Sequence, residues 1–171
     1  MSKIAMLLAA VTLTGAVGLA AHAQPSAGAA PPTPDFIVAA SQTDAYERSA
    51  GQLAQTKGKA NAVRSFGAMM VRDHAKTTTD LQAAIRKSGM QPPPPPPLRP
   101  DQQQMLDQLN SAQGDFDSVY AMQQVQVHTE ALALMQGYAA GGDDKNIQKV
   151  AAKAAPIVQH HLQMAQALSG G

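Results

Sequence analysis

Apolar and small residues recur at helical spacing through four long stretches of the chain. Between about Ala60 and Ser88 they fall at Val63, Phe66/Gly67, Met70, Thr77, Leu81 and Ala84/Ile85, one face of an amphipathic helix. His74 falls in the middle of that face. A first helix is predicted from about Asp35 to Lys57, with Phe36, Ala40, Thr43, Glu47, Ala50 and Ala54 inward. A third runs from about Asp101 to Tyr138, with Leu106, Leu109, Phe116, Tyr120, Val127, Ala131, Leu134 and Tyr138 inward. Asp117, Gln124 and His128 make a polar row along its edge, and Gly114 marks a bend. A fourth, about Asp144 to Leu168, turns Ile147, Val150, Ala154, Ile157/Val158, His161, Met164/Ala165 and Leu168 inward, with a kink expected at Pro156.

The segments between these stretches fix how the helices connect. Lys57-Gly58-Lys59-Ala60-Asn61 and Ala140-Gly141-Gly142-Asp143-Asp144 read as tight turns, with glycine stopping one helix and Asn or Asp capping the next. Residues 89–100 carry six consecutive prolines, Pro92 to Pro97, which form polyproline II rather than helix. At ~3.1 Å per residue this connector spans roughly 37 Å, against roughly 42 Å for helix two. The pattern is therefore all-α: a four-helix bundle over residues 35–168 with a Pro-rich crossover between helices two and three. On this reading both tight turns sit at one end, and Glu47, His74, His128 and His161 occupy adjoining levels. A plain up-down hairpin would instead set His74 level with Asp117.

Composition supports helix and narrows the setting. Aromatic residues make up only 4% and tryptophan is absent, which disfavours sheet. Ser2-Lys3, the apolar run Ile4 to Ala21 and the A-x-A signal Ala21-His22-Ala23 form a secretory signal peptide, residues 1–23. Removing 23 of 171 residues leaves 148, enough for one cored domain. Residues 24–34 are a flexible Pro/Ala/Gly linker. With Lys3 gone, 12 basic residues balance 12 acidic ones, and nothing points to nucleic acid. No cysteine is present, so neither a disulfide nor a lipidated cysteine is expected. The expected location is the periplasm, with outer-membrane association as a variant, no integral membrane segment after cleavage, and an envelope protein as partner.

Several kinds of chemistry are open to the inward polar residues. A di-iron or di-manganese oxidase of the Glu-x-x-His design is disfavoured, because Val71 and Val158 stand three residues before His74 and His161. Glu47 and Glu130 are the only glutamates. No nucleophile elbow or phosphate loop is present. A mononuclear transition-metal site (zinc, iron or copper) built from Glu47, His74, His128 and His161, with Asp117 as a further donor, is one reading. The leading one is a non-enzymatic structural or binding module. In it Glu47, with Asp117 or Asp73, satisfies the histidines and pins the bundle's register. Asp73 lies about 100° around the helix from His74 and reads as a surface charge. His160 falls on the shoulder of the inner face.

The chain also resembles the ferritin-like bacterial envelope proteins catalogued as domain of unknown function 4142. The resemblance rests on Phe36-Ile-Val-Ala-Ala40, Glu47, Leu53-Ala54, Met70-Val-Arg-Asp-His74 and Leu81. It continues through Phe116-Asp117-x-x-Tyr120, His128 with Ala131-Leu132, and Pro156 with His161-Leu162. It implies a ferritin-like bundle and export. It implies no activity.

Overall fold

A computed structural model describes residues 30–112 and 114–170. The expected signal peptide and residues 24–29 of the expected linker lie outside the described residues. The described residues form five helices and no strand: α1 (Thr33–Lys57), α2 (Asn61–Lys87), α3 (Pro100–Ser111), α4 (Phe116–Gly141) and α5 (Lys145–Ser169). None is long and apolar enough to cross a membrane.

Glycine brings α1 and α2 together. A Cβ on Gly51 would stand 2.6 Å from the Gly67 carbonyl oxygen, and one on Gly67 would stand 2.6 Å from Ala54 Cβ. The two backbones touch one turn from Glu47 and two turns from His74, which holds both residues in the same layer. At its other end α2 closes through Gly89, whose φ of 76° suits only a residue without a Cβ. Met90 N donates to Ile85 O and Gly89 N to Arg86 O, the paired bonds of a Schellman stop.

Three expectations about connectivity are corrected. The predicted third helix is two helices, α3 and α4, separated at residues 112–115, with Gly114 inside the break. The proline run also does not carry the crossover alone. Gln42 Nε2 holds Pro97 O at 2.9 Å, and by Arg99 the chain has come only level with Glu130, near the middle of α4. α3 completes the return, ending where the Lys57 ammonium meets the Asn110 carbonyl.

The third correction concerns the tight turns, which sit at opposite ends. Lys59 N and Ala60 N both donate to the Asp117 carboxylate at the start of α4 (2.9 and 2.8 Å). The turn before α5 instead meets the start of α1, where Thr33 N donates to Asp143 Oδ1. It also meets the end of α2, where the Ser88 hydroxyl donates to Asp144 Oδ1. A crossover returns the chain to the end where α2 began. That makes α2 and α4 parallel and moves the next turn to the far end.

Two hydrophobic clusters follow from this arrangement. The one nearer the α1–α2 turn contains Phe66, Met70, Leu109, Phe116 and Tyr120. The one nearer the α4–α5 turn contains Phe36, Leu81, Ile85, Tyr138 and Ile147. Between them all four long helices contribute buried polar residues.

Candidate metal centre

The polar layer is built from short spacings within each helix. On α1, Asp44 and Glu47 are three residues apart and share a face. On α2, His74 is followed by Thr77 and Thr78, whose hydroxyls donate to the two oxygens of Asp44, each at 2.8 Å. On α4, His128 stands one turn after Gln124. His161 enters from α5. Glu47, His128 and His161 are at most 2% exposed, and His74 4%.

Each histidine is held by its outer nitrogen. His74 Nδ1 donates to Asp44 Oδ1 at 2.8 Å. His128 Nδ1 donates to its own helix at Gln124 O, 2.9 Å away, with Glu47 Oε1 behind it at 3.7 Å. His161 Nε2 donates to Asp73 Oδ2 at 3.2 Å, while Arg72 Nε anchors the other Asp73 oxygen at 2.8 Å. Each imidazole thus has a carboxylate on its outer side. The remaining nitrogens, His74 Nε2, His128 Nε2 and His161 Nδ1, are buried without a partner. Ring centroids stand 5.4–5.8 Å apart, and one ring nitrogen from each histidine lies within 4.8 Å of those of the other two.

Electrostatics separate the three rings. Burial drives His128 down to about 3, and any charge on His74 or His161 drives it further. His161 falls to about 4 for the same reason, with Asp73 opposing. His74 moves the other way: burial lowers it, but the Asp44 hydrogen bond and the charges of Glu47, Asp44 and Asp73 together raise it. Glu47 is lifted to about 7, mainly by burial, against the influence of His74 and the Gln124 amide. His74 is thus the ring whose surroundings favour a proton, while those of His128 and His161 oppose one. Because His128 is held neutral, its 3.7 Å approach to Glu47 is not an ion pair.

The structure brings together His74, His128 and His161, with Glu47 beside His128. It does not bring Asp117 among them, since that carboxylate is engaged by the α1–α2 turn. His160 is exposed. Sequence reasoning missed Asp44 entirely; it offered Asp73 as a partner for the histidines but read it by preference as a surface charge. The signal for Asp44 was its three-residue spacing from Glu47. Asp73 reaches His161 across the α2–α5 seam, a contact between helices that the spacing along α2 alone does not reveal.

No curated protein and no solved structure matches the chain. A family model described as Domain of unknown function (DUF4142) matches residues 18–168, nearly the whole of the 171-residue chain. The chain belongs to that family.

Proposed function

We propose that this protein binds one transition-metal ion through His74, His128 and His161, in a ferritin-like four-helix bundle with α3 as part of the crossover. The carrying observation is that three buried ring nitrogens lack partners while the opposite nitrogens are all held. Histidines that ligate metals commonly donate their other N–H to a carboxylate or backbone carbonyl, which fixes tautomer and ring angle. A tetrahedral ion with ~2.0–2.1 Å bonds needs its nitrogens roughly 3.3 Å apart. One ring nitrogen of each histidine lies within 4.8 Å of those of the other two, so the rings would close inward on an ion. Three neutral imidazoles suit zinc first and copper or iron next. Asp44, Asp73 and Glu47 supply the negative charge that a buried cation requires.

The structural-network reading explains the outer bonds but leaves the inner nitrogens orphaned. A buried polar atom left unpaired costs about 1–3 kcal/mol, and one ligand between the rings would meet that cost for all three. That magnitude favours a ligand shared by all three. The reading extends to export into the bacterial envelope, supported by the pattern of residues 1–23. Titration of chelator-stripped protein with zinc tests the proposal: one ion per chain is expected, reduced to background in His74→Ala. Absence of uptake would return the layer to a purely structural role and direct attention to protein partners.

A further inference from the structure

The site also has sides, and they differ. Toward the α1–α2 turn the histidines are roofed by Phe66, Met70, Tyr120 and Ala165, each 2% exposed or less, with the Phe66 ring 6.3 Å from that of His128. Toward the α4–α5 turn lies a cavity of about 30 Å³. His74 and Asp44 line it, and so do Thr77, Ala131 and Val158. Thr77 is three residues after His74, Ala131 three after His128, and Val158 three before His161. Given the direction in which each helix runs, all three lie one turn from the histidines on the same side. The cavity therefore adjoins the histidine layer through three of the four long helices at once.

The cavity has a neighbour. A groove of about 290 Å³ runs along the surface between α2 and α5, and Thr77, Val150 and Ala154 line both spaces. These three side chains stand between the groove and the interior cavity.

Resting on the metal-binding reading, we infer that the bound ion keeps an exchangeable coordination position facing this cavity. It takes a ligand of two or three heavy atoms admitted through the Thr77–Val150–Ala154 neck. Three protein ligands leave a fourth tetrahedral position open. Phe66, Met70 and Tyr120 block one direction, and the cavity lies in the other. Its volume matches about two water positions, which admits a diatomic or triatomic ligand and excludes a ring.

The test uses the full chain loaded with cobalt(II), whose visible spectrum reports coordination, titrated with azide and separately with imidazole. Azide should change the spectrum saturably and imidazole should leave it unaltered. Ala154→Leu, which fills the neck, should keep the cobalt spectrum and weaken the azide response at least tenfold. Should that variant fail to fold, Val150→Phe closes the same neck from its half-buried position. An unchanged spectrum with azide, an equal response to imidazole, or a neck variant that responds like the parent would each overturn the inference while leaving the metal site standing. Failure to bind cobalt at all would instead remove the site itself, a separate result.

Discussion

The ends of this bundle and its middle use the same residue types to opposite effect. At the ends, carboxylates complete their surroundings. Asp117 caps the backbone of Lys59 and Ala60, Asp143 accepts from Thr33 and Tyr138, and Asp144 accepts from Ser88, Asn146 and Ile147. In the middle, Asp44 and Asp73 are equally well satisfied, yet the imidazoles they hold end in unpaired nitrogens. That difference, closed at the ends and open inward in the middle, is what the proposed ion would use.

That contrast can be broken by mutation. The largest effect belongs to the histidines: His74→Ala, His128→Ala and His161→Ala should each abolish stoichiometric zinc in metal analysis while keeping the helical circular dichroism. Removing an outer support should weaken binding without eliminating it. Asp44→Asn is expected to cost ~10–100-fold in zinc affinity, the usual range for residues that orient a ligating histidine. Asp73→Asn should cost less, because Asp73 is partly exposed and shared with Arg72. Competition with a chelator of known affinity measures both.

The pH dependence sharpens the same distinction. His128 and His161 are neutral down to about 4 and below, so among the rings only His74 holds a proton that competes with metal near neutrality, with Glu47 at about 7 beside it. His74 is raised, and below its pKa the ring is charged and repels a cation. Affinity should therefore fall as pH drops through the raised His74 pKa and the Glu47 pKa of about 7, with one to two protons taken up per ion released. A slope of three would mean that all three rings titrate together, contrary to this account. The smallest effect lies at the end of the bundle. Asp117→Ala should lower stability by about 1 kcal/mol, as for a lost helix cap, and leave zinc affinity unchanged.

Much of the centre was legible in the helical period, because His74, His128, His161 and Glu47 all fall on apolar faces and a buried face must pack inward. The period could not show which nitrogen each ring offers or what holds the other. Asp44 went unseen for that reason. Asp117 misled because it lies on the same stripe of α4 as His128 but 11 residues before it, about three turns along the helix. That places it in the first turn of α4, where it meets the α1–α2 turn. The length of the connector suggested a crossover, but the direction of the following helix was misjudged, and with it the placement of the second turn.

The most direct test is X-ray absorption at the zinc edge of the loaded protein. Three imidazole nitrogens at ~2.0–2.1 Å with one further light ligand is the predicted shell. Two or fewer imidazoles, or a methionine sulfur in the shell, would contradict a three-histidine centre.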